Sequence, residues 1–141
     1  MTTNPAPITN PVIDEQGLPT LPWTLFFNQT FEGDRGDDWS PTITGLTGST
    51  TSVTGRYYRL SQSLVYFRID IVPSGNTSSV AGTTYVGDFP LTFNFDGFNT
   101  VVSGSAGGSI GMNRASDNRI LFPAWTTVSV PLAILGIGEA I

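Results

Sequence analysis

Cysteine, histidine and lysine are absent from all 141 residues, and all six basic residues are arginine. Within one chain this excludes disulfide scaffolds, zinc fingers, thiol nucleophiles, Ser-His-Asp triads and Schiff-base lysines. Charge of either sign is scarce. Charged residues make up 12%, with a net charge of −5, against ~25% charged in ordinary soluble domains. Nucleic-acid binding therefore lacks its electrostatic footprint. No apolar run approaches the ~20 residues that a membrane span requires. The opening stretch, Met1 to Asn10, has neither a basic n-region nor an apolar h-region, so no secretory signal is expected. The N-x-[ST] triplets at Asn28 and Asn76 then read as chance matches, since they are acceptors only in a secretory pathway.

What the chain does have is Thr and Ser in abundance, 16 Gly, 10 Pro and 11% aromatics. Its length fits one domain, for which ~100–200 residues is usual. Half of the prolines, Pro5, Pro7, Pro11, Pro19 and Pro22, fall in residues 1–22. Such a segment cannot run as a helix or a central strand. It is expected to be an extended attachment arm, with Ile8, Val12, Ile13 and Leu18 as its apolar contacts to a partner surface. Residues 23–38 are expected to form a short helix and an acidic loop. Trp23, Phe26, Phe27 and Phe31 stand at i, i+3, i+4 and i+8, which is helical spacing. Thr20 suits the cap and Pro22 the first turn. Four large aromatics on so small an element need a partner, and packing about a symmetry axis would supply one.

From Thr42 the period changes to two. Val65, Phe67, Ile69 and Ile71 point one way and Tyr66, Arg68 and Asp70 the other, the strongest strand signal in the chain. Thr50 to Leu60 reads as the preceding strand and Thr42 to Thr47 as an earlier one. Leu91, Phe93 and Phe95 alternate, and Asp96-Gly97 signals a hairpin into Phe98 to Ser103. Ile110 and Met112, Ile120 to Trp125, and Val128, Val130, Leu132 and Ile134 complete about eight strands. Pro131 argues for an edge or a bulge in the last. The expected core is Val65, Phe67, Ile69, Phe93, Ile120, Val128 and Val130. The fold class expected for residues 39–141 is an all-β, antiparallel sandwich or jelly-roll knob.

Chemistry-bearing residues are few. Glu32, Asp34, Asp37, Asp38, Asp70, Asp88, Asp96 and Asp117 supply enough carboxylates for a glycosidase pair. Nearly all stand beside Gly or Asn in expected turns, where Asp serves its own backbone. The loop from Glu32 to Asp38 lacks the D-x-D-x-D-G spacing of a calcium loop, and Arg35-Gly36-Asp37 is a tripeptide short enough to arise by chance. No catalytic residue, metal ligand or cofactor is expected. Tyr57, Tyr58, Tyr66 and Tyr85, with Trp125, lie near Arg56, Arg59 and Arg68. Rigid aromatic faces with polar tips suit sugar or protein binding, or the covering of a subunit interface.

Three stretches resemble the knob domains of tailed-bacteriophage virion proteins: Trp39-Ser40-Pro41 through Gly48, Thr54-Gly55-Arg56-Tyr57-Tyr58, and Leu64 through Ile71. Gly17 through Trp23 is similar to the segment leading into such knobs, and Trp125 to Val130 with Ala133 to Gly136 to their ending. The resemblance covers roughly residues 17–136. It implies a homotrimer with a β-sandwich or jelly-roll knob, joined to other virion proteins through its arm. Trp23, Phe26, Phe27 and Phe31 would then make the trimer contact. The location implied is the virion, assembled in the host cytoplasm and released by lysis. The chain opens on the leader with no shaft before it, which favours a short fibre, a spike or a capsid decoration. The first expectation is a short fibre or spike, whose loops distal to the leader would meet a host surface glycan or protein. A capsid cement or decoration protein and a carbohydrate-binding module are the alternatives. Neither nucleic-acid partners nor membrane insertion are expected.

Overall fold

A computed structural model describes residues 9, 11–18, 20–22, 36–102 and 109–141. The chain divides into two compact units, Met1–Arg35 and Gly36–Ile141. In the first unit the arm is not simply extended. Asp14 Oδ1 accepts from the backbone N–H groups of Gln16 and Leu18, both at 2.9 Å, and Thr20 N donates to Val12 O at 3.0 Å. The short Asp side chain competes with the backbone for its own N–H groups and so makes a turn. Val12, Ile13 and Leu18 stay 47%, 57% and 61% exposed. Ile8 and the whole aromatic segment of Trp23, Phe26, Phe27 and Phe31 lie outside the described residues.

The second unit is all-β, as expected. Ten strands are described: β1 Asp37–Trp39, β2 Ile43–Thr44, β3 Thr47–Arg59, β4 Leu64–Ser79, β5 Tyr85–Val86, β6 Gly97–Val102, β7 Ile110–Arg114, β8 Arg119–Leu121, β9 Trp125–Val128 and β10 Leu132–Glu139. Every pairing is antiparallel, in the order β1-β3-β4-β10-β6-β7-β8-β5-β2, with β9 added to β4. The two ends of that order, β1 and β2, are joined by Ser40-Pro41-Thr42 alone. Four Cα steps reach ~14 Å at most, and packed sheets lie ~10 Å apart. The sheet must therefore curl until its first and last strands face each other. Thr42 N donates to Asp88 Oδ2 at 2.9 Å and holds this link.

The core fills the curl. Val65, Phe67, Ile69 and Ile71 of β4 are fully buried, joined by Val86, Val101, Ile120, Phe122, Trp125 and Ile134. Phe89 stacks on Phe93 at 5.0 Å and meets Trp39 edge-on at 5.2 Å, with Tyr57 and Phe67 beside it. Phe67 lies over Gly136, its register partner on β10, where a Cβ would collide with the ring. Trp39 and Pro41 similarly occupy the space above Gly55. Small residues thus appear where large rings cross a neighbouring strand.

Several sequence expectations are corrected. Leu91 to Phe95 is not a strand: only a single bridge, Phe93 to Ala140, forms there. Asp96-Gly97 is not a hairpin, because Asp96 Oδ1 accepts from Ala115 N at 2.8 Å and Gly97 begins β6. The run from Val128 to Ile134 is split. Ser129 has φ 54°, and this left-handed residue, with Pro131 lacking an N–H, separates β9 from β10. Trp125 and Thr127 point inward on β9, but Leu132 and Ile134 do so on β10. The alternation changes phase between them, so Val128 and Val130 stand 64% and 39% exposed rather than in the core.

Candidate functional site

The outward face of β1, β3 and β4 carries an array of paired charges and tyrosines. Register places Asp38 opposite Arg56, and Arg56 opposite Arg68. The rows on either side are Thr54 opposite Asp70 and Tyr58 opposite Tyr66. Two arginines facing each other across a strand pair repel. Each is answered by its own carboxylate. Arg56 Nε donates to Asp38 Oδ1 at 2.6 Å, and Arg68 Nε donates to both oxygens of Asp70 at 2.8 and 2.9 Å. The hydrogen bond from Arg56, and then its charge, hold the Asp38 carboxyl below its ordinary value, while Asp38 raises the Arg56 guanidinium further. Asp70 does the same for Arg68. The side chains remain open to solvent, Arg56 and Asp38 at 46% and 71%, Arg68 and Asp70 at 52% and 45%.

Exposed ion pairs contribute little to stability, so this array does little to hold the fold. It borders an open depression of about 650 Å³, with Ser40, Thr54 and Tyr58 completing the polar lining. The Tyr58 and Tyr66 rings lie 5.8 Å apart, tilted by 36°. Planar guanidinium donors, carboxylate acceptors, hydroxyls and an aromatic face are thus collected on one wall.

The aromatic and arginine residues singled out from the sequence separate into two sets. Tyr58, Arg56 and Arg68 line the depression, and Tyr66 stands beside Tyr58 on the same face. Tyr57 turns inward, where burial, followed by the nearby Asp37 carboxylate, pushes its phenol up. Trp125 is buried at 4% and belongs to the core. Tyr85 lies under the Arg119 guanidinium, 4.1 Å from its ring centre. Sequence reasoning gives neither Asp38 nor Asp70 a site role: Asp38 falls in the expected acidic loop but stands on β1, whereas Asp70 stands outward on β4 as its strand parity predicts. The i, i+2 spacing of Arg68 and Asp70 on so clear a strand was the available signal. Asp117 serves a local cluster instead, bonded to Arg114 Nε at 2.8 Å and near Arg119 Nε at 3.2 Å. Among the described residues no cluster of acidic side chains has metal-ligating geometry. Comparison with protein-family models, curated proteins and solved structures finds no match for this chain.

Proposed function

We propose that this chain is a structural virion protein of the phage short-fibre or spike kind. In this reading the curled sheet is a sandwich or jelly-roll knob in a homotrimer, and residues 1–22 form the arm that anchors it to another virion protein. Val12, Ile13 and Leu18, exposed on the described part of the arm, act with Ile8 as its apolar contacts. The knob binds a host surface saccharide in the depression between Arg56 and Arg68. It acts by binding, without catalysis, metal or cofactor.

The observation that supports this reading is the composition of the depression. Asp38, Arg56, Arg68, Asp70, Thr54 and Tyr58 line it. Sugar hydroxyls both donate and accept, so a wall of alternating carboxylate and guanidinium groups can satisfy neighbouring hydroxyls at once. Tyr58 offers an apolar ring to the C–H face of a pyranose. The test is binding of the purified full chain to a panel of bacterial surface polysaccharides. The expected result is binding that falls at least tenfold in Arg68→Ala and in Tyr58→Ala. Absence of saccharide binding, or binding indifferent to both substitutions, would overturn host attachment and favour the capsid cement reading. A monomer that binds saccharide would favour a carbohydrate-binding module.

A further inference from the structure

Beyond the depression the same face of the sheet changes character. Register carries the outward rows from β4 onto β10, β6 and β7, as Arg68, Leu135, Thr100 and Ile110, and as Tyr66, Ile137, Phe98 and Met112. Val102 follows on β6 opposite Ala133. No charge stands in these rows past Arg68. Phe98 is 58% exposed, Val102 50%, Ile110 74% and Met112 39%. At roughly 100 Å² of open surface each, these four make an apolar patch of ~400 Å², as large as the largest on a typical monomer. That is about half of the ~800 Å² each partner gives to a standard interface.

We infer that this face of β10, β6 and β7 is the contact through which copies of the chain associate. Two features point to a second copy, and a third restricts where the contact can lie. The face carries projections and a recess together. Ile110 and Met112 border an apolar hollow of about 320 Å³ that Leu121, Phe122 and Ala81 also line, while Phe98 and Ile110 stand out from the surface. A surface with both a projection and a recess offers the two halves that a contact between identical copies needs. Its border on β3 and β4 is self-complementary, with Arg56, Arg68, Asp38 and Asp70 presenting both signs, so a neighbouring copy can set arginine against aspartate at the rim. Copies each bearing a net charge of −5 repel, and a contact must fall where charge is absent. A lipid surface fits less well, because each bordering arginine is already answered by an aspartate.

The face is also held rigid from beneath. Asn113 Nδ2 donates to Phe98 O and to Ile137 O, both at 3.1 Å, and Asn99 Nδ2 donates to Asn113 Oδ1 at 2.9 Å and to Leu121 O at 3.1 Å. Both asparagines are fully buried. They fix β10, β6, β7 and β8 from the inner side, so little ordering remains to be done on docking.

The inference rests on the proposed assembly only in taking a copy of this chain as the partner, and it assigns the contact to a different surface from the aromatic segment. The test is the mass in solution of the full chain by light scattering at micromolar concentration. The wild type is expected to be oligomeric. Ile110→Glu is expected to weaken association at least tenfold, with near-ultraviolet circular dichroism unchanged. Leu60→Glu, at an exposed apolar residue off this face, should leave association intact. Should Ile110→Glu disturb folding, Phe98→Ser carries the test. A monomeric wild type, or oligomers that survive both substitutions in folded protein, overturns the inference. Arg68→Ala separates the two sites, since it should lose saccharide and keep its mass.

Discussion

Arg56 shows how one residue can serve a strand register and a surface at once. It faces Asp38 on β1 and Arg68 on β4, and only the carboxylate makes that crowding of cations tolerable. The linkage has a definite sign. Asp38 is held below its ordinary value of 3.8, first by the hydrogen bond from Arg56. The pair is therefore fully formed above the unfolded value and is lost only as pH falls through the lower folded one. A carboxyl ¹³C titration of the folded protein should place the Asp38 midpoint below 3.8. In Arg56→Ala the midpoint should move back up. A wild-type midpoint at or above the ordinary value would show that the two groups do not pair in solution, and the wall of the depression would lose its alternating charges.

At the scale of elements, the phase of alternation decides which side chains are inside. β4 was legible because Val65 through Ile71 alternate without interruption and each inward residue is wholly buried. β3 was legible nearly to its ends, Thr47 and Arg59 against the expected Thr50 and Leu60. The β9–β10 region was not, since a positive φ at Ser129 leaves no mark in a pattern of hydrophobicity. Leu91 to Phe95 misled for a related reason. Its polar backbone groups go to Asn118 and to the β10 end, with Phe93 N donating to Asn118 Oδ1 and Asn94 N to Glu139 O, both at 2.9 Å. The site was half legible: its tyrosines and arginines follow from strand parity, but Asp38 reaches Arg56 only through a long-range pairing. The phase change can be tested. Ser129→Val forces a β-branched residue into the left-handed region and should destabilise the protein by about 1–3 kcal/mol in denaturant unfolding. Val128→Thr, on the outward side, should stay within about 0.5 kcal/mol of wild type. A Val128→Thr loss comparable to that of Ile134→Ala, for which about 2–5 kcal/mol is expected, would mean β9 and β10 share one phase after all.

For the whole molecule, the division of labour between the two units is itself testable. Every described residue of the hydrophobic core, from Val65 to Ala140, and every half-buried side chain packed against it, from Trp39 to Ala115, belongs to Gly36–Ile141. The link that closes the curl, Ser40-Pro41-Thr42, lies in that unit too, as does its anchor Asp88. Nothing described in Met1–Arg35 adds to that core. A single domain of this size normally unfolds in one cooperative step. Residues 36–141 expressed alone should therefore retain native near-ultraviolet circular dichroism and a single cooperative thermal transition. The same truncation weighs the two candidate self-contacts against each other, because it removes Trp23, Phe26, Phe27 and Phe31 and keeps Phe98, Ile110 and Met112. The expected product is folded and still oligomeric, with association carried by β10, β6 and β7. A folded monomer would instead assign association to the aromatic segment, and the open face of the sheet would need a different occupant. An unfolded product would mean that residues 1–35 complete the β unit, and the anchoring arm could no longer be treated as a separate device.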